Sequence, residues 1–380
     1  MKYFAEYLCQ EHKTGYSVCG DTCSCERSFK NTTVIVCDGI GSGVYANIAA
    51  ITCTGRIKEL LKLGVSLRNA SEMVASSMHR ARKEKIPFAA FSVAVIQPDG
   101  HFTVFVYEAP APVIIKKAEA EALEPVYHTC DQEVVGEYTG KLLEDDSLIL
   151  CSDGVTEAGL GRGHGLGIGV DGVVDFINEN HQSDKDIREL PSKIVEYCGT
   201  FADGIWEDDT TLALINCRKA EELTLLTGPP SKSSIDREYA ETIKKAKGRK
   251  IICGATTAEI VSRELEIPVE TKEFNSLYGT PPEYKMEGVD LATEGAITLN
   301  QVCNVLDDPI EKVPGYSTVK FLCILLKDAD VIHFHIGNAN NDAHEDLLFK
   351  QAGVRVRQAT IETLTEKLMA MGKVVTKRYY

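Results

Sequence analysis

Three short apolar runs in the first part of the chain meet an aspartate at one end. Thr33-Val34-Ile35-Val36-Cys37 runs into Asp38, Leu148-Ile149-Leu150-Cys151 runs into Ser152-Asp153, and Asp208-Asp209 precedes Thr211-Leu212-Ala213-Leu214-Ile215. Apolar runs of this length, with no polar alternation, predict buried strands. Residues 1–31 read as a strand pair leading into the Asp38 strand, with Asp21 near the first turn. After Gly39, Gly41 and Gly43 the period changes to that of a helix over 44–63, with Ile48, Ile51, Ile57, Leu60 and Leu61 as its apolar stripe. A second helix is predicted over 66–85, stopped by a basic run and Pro87. Ala90–Ile96 and His101–Tyr107 flank Gln97-Pro98-Asp99-Gly100 and predict a hairpin. Further strands are predicted at 113–115, near Val134 and at 147–151, with two more helices after Gly169. Helices in pairs around runs of strands fit two packed sheets with helices outside them.

Beyond a stretch rich in turn formers, Leu226 to Ser234, the pattern alternates between helix and strand. Leu223–Leu226, Lys250–Cys253 and Val331–Ile336 read as strands; Asp236–Lys247, Thr257–Leu265 and Asp342–Gln351 read as helices. This alternation predicts a smaller α/β domain over 219–380 after a first domain over 1–218. Lys250–Glu259 reads as strand, glycine turn and helix start, a place where an anion can bind; the glycine also serves packing. His333 and His335 share one strand face, either as a metal pair or as satisfied core histidines, with Asn338, Asn340, Asn341, Asp342 and His344 nearby.

Composition narrows the function classes. At 380 residues and 44% hydrophobic content the chain can build two cores, and its net charge of −15 disfavours an electrostatic grip on nucleic acid or an anionic membrane. The 13 cysteines, without a leader-like apolar start, point to reduced thiols and a cytoplasmic protein. No run approaches the roughly 18 apolar residues of a membrane span. Cys19, Cys23 and Cys25 lack a second pair at metal-ligand spacing and read as structural. Gly159 to Gly169 places six glycines at alternate positions, which suits a mobile flap rather than a nucleotide cradle.

The chemistry lies in the acidic clusters. A carboxylate at the rim of a buried strand loses hydration, and a divalent cation compensates it well. In order, the chain presents Cys19-Gly20-Asp21, then Asp38-Gly39-Ile40-Gly41-Ser42-Gly43 opening a helix, then Ser152-Asp153-Gly154-Val155-Thr156-Glu157, then Asp208-Asp209-Thr210-Thr211. That series resembles the metal-dependent protein serine/threonine phosphatases of the 2C type, above all the bacterial branch of stage II sporulation protein E, over about the first 217 residues. The resemblance implies an α+β fold, a four-layer α-β-β-α sandwich. It also implies a protein serine/threonine phosphatase acting on phosphoserine or phosphothreonine. Two Mn2+ or Mg2+ ions would activate a water and balance charge on the phosphoryl oxygens, a task for which hard oxygen ligands are suited.

Carried over residue by residue, Asp38 would bridge both ions and the Gly39 carbonyl would bind one. Asp153 and Asp208 would complete the other shell, with Asp21 in the outer shell or at a further ion. Asp208 is preferred because the family ligand is the first residue of its closing motif; Asp209 is the reserve. The chain departs from many eukaryotic relatives at Ile40, where they carry a histidine able to protonate the leaving group, and in the turn Tyr107–Pro112. No phosphate-gripping arginine motif stands out near the N-terminus, where Arg27 and Lys30 are the candidates; the family's flap after the Ser-Asp-Gly strand implies Arg162 and His164 as substrate contacts, with solvent-exposed loop residues as the alternative. The expected partner is a phosphorylated protein, and a homodimer is compatible with the sequence. Rival readings are a metal-dependent hydrolase of a small phosphorylated metabolite and a noncatalytic binding module on the phosphatase fold.

Overall fold

The computed structural model describes residues 1–117, 119–130, 132–162, 165–181, 186–202, 204–271, 281–310, 317–339 and 357–380. Contacts divide the chain into two compact units, one of Lys2–Glu26 with Lys30–Lys219, the other of Ala220–Tyr380 with Met1 and Arg27–Phe29.

In the first unit, β1 (Lys2–Glu11), β6 (Val113–Lys116), β7 (Glu119–Ala122), β10 (Ser147–Cys151) and β11 (Thr210–Lys219) form an antiparallel sheet in the order β1-β11-β10-β6-β7. A second sheet has the order β2-β3-β4-β5-β9-β8, built from β2 (Thr22–Arg27), β3 (Thr32–Gly39), β4 (Ala89–Ile96), β5 (His101–Tyr107), β8 (Val126–Cys130) and β9 (Glu133–Lys141). Successive side chains of a strand point to opposite faces, so a continuous apolar run feeds two cores. Val34 and Val36 pack between the sheets with Val104, Leu148, Leu150 and Ile215, whereas Ile35 and Cys37 pack with Ala50, Cys53 and Val74 of α1 (Gly43–Lys62) and α2 (Leu67–Lys83). On the other sheet Ile149, Cys151, Leu212 and Leu214 face outward to α4 (Gly169–Asn180) and α5 (Leu190–Ala202). The unit is therefore a four-layer α-β-β-α sandwich.

Two details differ from the sequence expectations. β1 and β2 are not partners: β1 lies along β11 from Lys2↔Lys219 to Glu11↔Thr210, while β2 flanks β3 in the other sheet. Chain neighbours are the default pairing, but here the long-range partner offers a ten-residue ladder. On α1 the buried face is Ala46, Ala49, Ala50, Cys53 and Ile57, while Ile48 is 52% and Ile51 55% exposed. The cause is close approach: a Cβ on Gly39 would stand 1.9 Å from the Ala46 carbonyl oxygen. Only small side chains fit between helix and sheet there, and Ile48 and Ile51 turn outward, whereas Ile57 further along is buried.

The second unit is a doubly wound α/β layer. Its sheet has the order β14-β15-β16-β13-β12-β17-β18, comprising β12 (Glu222–Thr227), β13 (Arg249–Cys253), β14 (Glu270–Thr271), β15 (Glu283–Lys285), β16 (Leu291–Thr293), β17 (Val331–Ile336) and β18 (Val374–Tyr379). The five strands from β16 to β18 are parallel. One face is covered by α6 (Asp236–Lys245) and α7 (Ala255–Leu265), the other by α8 (Ala296–Val305), α9 (Thr318–Asp328) and α10 (Arg357–Ala370). The helix expected over Asp342–Gln351, with Asn340, Asn341 and His344, lies outside the described residues. β18 satisfies both strand histidines: His333 Nδ1 is 2.7 Å from Thr376 Oγ1 and His335 Nδ1 is 2.8 Å from the Tyr380 hydroxyl. Among the described residues no helix is long and apolar enough to cross a membrane.

Candidate active site

Carboxylates from both sheets of the first unit meet at one end of the sandwich. β3 ends in Asp38 and Gly39, in register with Ala90 and Ala89 of β4. The chain then turns through Gly41, at φ +121°, into α1. From the other sheet β10 delivers Asp153 at the start of α3 (Asp153–Thr156), and Asp208 and Asp209 lead into β11. The two segments are tied by Ser152 N donating to Thr211 O at 3.0 Å and Thr211 N donating to Ser152 Oγ at 2.9 Å. Asp21, 3% exposed, stands just ahead of β2.

The electrostatics are those of an uncompensated acidic cluster. Burial, and then the neighbouring Asp21 and Asp153 carboxyls, hold the Asp38 carboxyl far above the ordinary carboxylate range. Asp21 is also pushed up, by burial first, although the nearby Thr211 and Ser152 hydroxyls work against the shift. Asp208 is raised by burial and by Asp153, with the Asp209 amide and Lys13 opposing. Both oxygens of Asp21 and Oδ1 of Asp153 are buried without a partner at hydrogen-bonding geometry. Orphaned carboxylate oxygens of this kind cost free energy unless a cation compensates them.

The donor set suits a hard divalent cation, since it is carboxylate and carbonyl oxygen without thiolate or imidazole. Among the described residues no three His, Cys, Asp or Glu side chains already enclose one metal position. The cluster instead offers its carboxylates in neighbouring pairs, Asp38 with Asp21, Asp38 with Asp153, and Asp153 with Asp208. Gly39 belongs to this region through its carbonyl oxygen, 3.5 Å from where a Cβ on Gly20 would lie.

Asp208 and Asp209 have separate surroundings. Asp209, 2% exposed, accepts the Lys13 amide on Oδ1 and the Gly20 amide on Oδ2, both at 2.9 Å. Asp208 is half-buried; its carboxylate accepts the Asp209 amide at 2.9 Å, and its carbonyl accepts the Thr210 hydroxyl at 3.4 Å. Glycines fit this packing: a Cβ on Gly154 would stand 2.2 Å from Asp209 O, and one on Gly20 2.7 Å from Asp209 Oδ2. The sequence shows the Gly-Asp and Asp-Gly pairs, but nothing in its pattern announces that Asp209 is a clasp for two distant amides.

Other candidates fall elsewhere. The Arg27 guanidinium lies against Gly372, 3.0 Å from where a Cβ would be, and Lys30 is exposed. Ile40 is 40% exposed beside Asp38 and brings no proton donor. Arg162 Nε and Nη2 donate to Glu207 Oε1 at 3.1 and 2.7 Å, and His164 lies outside the described residues. No disulfide joins any of the cysteines; Cys23 donates to Glu6 Oε1 at 3.3 Å. A cavity of about 220 Å³ has Asp208 in its wall, with Trp206 and Arg162, a feature with no sequence signature.

The model of the stage II sporulation protein E family matches residues 29–218. No curated protein matches the chain. Among solved structures, the RsbU and RsbW domains of a Mycobacterium tuberculosis protein are similar at 16% identity and a TM-score of 0.49, covering 64% of this chain and 69% of that one. The PP2C phosphatase domain with a regulatory fragment of SpoIIE from Bacillus subtilis shows 16% identity and a TM-score of 0.49, covering 57% and 64%. The SiaA-PP2C domain of Pseudomonas aeruginosa shows 14% and 0.45, covering 56% and 85%. With the match taking in residues 29–218 of 380, and with them every acidic cluster from Asp38 to Asp209, the chain belongs to the stage II sporulation protein E family.

Proposed function

We infer that the chain is a protein serine/threonine phosphatase, a hydrolase of phosphoserine and phosphothreonine, whose catalytic domain is residues 1–218. The observation that carries the reading is the meeting of strand-end carboxylates from two sheets, with buried oxygens of Asp21 and Asp153 unpartnered. Two Mn2+ or Mg2+ ions held by Asp38, the Gly39 carbonyl, Asp153 and Asp208, with Asp21 behind them or at a further ion, supply an activated water and charge balance on the phosphoryl group when bound.

The residues themselves do the positioning. Asp38 sits where both sheets converge and is the carboxylate best placed to answer to two cations. Gly39 presents its carbonyl because the start of α1 leaves no room for a side chain. Asp209 holds the Lys13 and Gly20 amides, which fixes the segment carrying Asp21. Ile40 gives no proton to the departing serine, so either water protonates it or it departs with less help. Residues 219–380 form a regulatory or partner-binding domain in this reading.

The test is turnover of p-nitrophenyl phosphate and of a phosphothreonine peptide by the purified chain, with Mn2+ and after chelation. Metal-dependent hydrolysis of both is expected. Full activity in chelated protein would falsify the reading.

A further inference from the structure

The cavity beside Asp208 has a mixed lining. Trp206, Phe201, Ala158 and Cys198 contribute its apolar side chains, and Glu157, Arg162 and Glu207 its charged ones. Trp206 is fixed in place. Its amide donates to Thr14 Oγ1 at 2.8 Å, its carbonyl accepts the Thr14 amide at 2.9 Å, and its ring packs on Gly199, where a Cβ would stand 3.3 Å away. Ile205 and Leu160, 50% and 41% exposed, add apolar surface to the lining.

We propose that this cavity is a substrate subsite that takes an apolar side chain adjacent to the phosphorylated serine or threonine. The proposal rests on the phosphatase reading and on four features. The cavity shares Asp208 with the carboxylate cluster, so an occupant lies next to the reacting phosphate. Consecutive Cα atoms are only about 3.8 Å apart, so a neighbouring residue reaches it without looping. Its volume, about 220 Å³, suits one large side chain. An aromatic ring already held in place is a usual anchor of protein recognition, because little ordering remains to be done on binding. Arg162 is bound to Glu207 rather than aimed at a substrate carboxylate. An acidic neighbour of the phosphoserine therefore finds no cation offered by Arg162 and meets the Glu157 carboxylate.

The test uses the full chain with Mn2+ and synthetic phosphoserine peptides that differ only at either residue next to the phosphoserine, carrying Leu, Ala or Glu. The readout is the ratio of kcat/KM between peptides within one protein, from which any common change in turnover cancels. The Leu peptide is expected to exceed the Ala peptide by at least about tenfold and the Glu peptide by more. Trp206→Ala is expected to bring the Leu-to-Ala ratio close to one. Ile205→Ser, at a half-exposed position, is expected to lower the ratio in part and serves if Trp206→Ala does not fold. A ratio near one in the unmodified protein, or a ratio unchanged in the folded variants, overturns the assignment. If p-nitrophenyl phosphate is hydrolysed with Mn2+ in that case, only the subsite fails. If neither peptides nor aryl phosphate are turned over, the phosphatase reading fails and the subsite with it.

Discussion

Replacing Asp208 and Asp209 one at a time tests the proposed assignment of the first as a ligand and the second as a clasp. Asp209→Ala removes the acceptor for two amides, those of Lys13 and Gly20, each at 2.9 Å. Hydrogen bonds to a charged group contribute about 1.5–3 kcal/mol each, so the loss is about 3–6 kcal/mol if both amides stay unpaired. For a unit of this size each kcal/mol moves Tm by about 2–4 °C, giving a fall of roughly 6–24 °C. Asp208→Ala removes the acceptor of one local amide bond, at 2.9 Å, and relieves repulsion with Asp153. Its Tm in chelator should stay within a few degrees of the unmodified chain. Turnover should rank the other way. Asp208→Ala is expected to lose at least about 100-fold, since even residues supporting a metal ligand carry up to about that effect. Asp209→Ala, assayed below its own melting point, should keep a measurable fraction. Circular dichroism melts and Mn2+-dependent p-nitrophenyl phosphate hydrolysis at low temperature give both numbers. An Asp209→Ala protein that melts normally yet is inert, beside an active Asp208→Ala, would show that the two roles are reversed.

Asp38→Asn should abolish turnover and also abolish the rise in Tm that Mn2+ produces in the unmodified chain, because a neutral amide cannot balance two dications; a retained Mn2+ shift would count against Asp38 as the bridge. A 1–218 fragment should fold and hydrolyse aryl phosphate, because the cores around Val34, Ile35 and Ile149 share no residue with those around Leu225 and Leu226. A soluble fragment that binds Mn2+ but is inert would mean that residues 219–380 complete the site. Burial depresses the His335 pKa to about 4, against roughly 6.5 in an unfolded chain, so the unfolded state takes the proton first. Stability of the second unit should be level above pH ~6.5 and fall as pH drops toward about 4, and His335→Gln should flatten that slope in a melt series.

The sequence made the doubly buried strands plain, since Val34 to Cys37 serve two cores and leave no polar alternation to confuse with a surface strand. The acidic motifs were equally visible, because each sits at the junction of such a strand with a turn. Pairing across the chain was not visible: β1 finds β11 at a separation no local pattern encodes. On α1 the expected stripe holds at Ile57, Leu60 and Leu61 and fails at Ile48 and Ile51, because the close approach at Gly39 selects for small size, which no hydrophobicity count registers. In the second unit α9 and β18 escaped notice among Thr, Lys and Cys residues whose burial depends on tertiary packing. The different fates of Asp208 and Asp209 needed the Lys13 and Gly20 amides, which come from the far end of the chain.

The pairing of β1 with β11 also sets a clock on synthesis. A ribosome making about 5–20 residues per second needs roughly 10–40 s to pass from the first strand to its partner. Until Thr210 to Lys219 have emerged, Lys2 to Glu11 has no ladder, and the Lys13 and Gly20 amides have no Asp209 to hold them. The last piece of the catalytic half to be made is thus the piece that assembles its acidic centre. A chain abandoned before residue 208 is made carries neither Asp208 nor Asp209, and under the proposed assignment it is no working hydrolase.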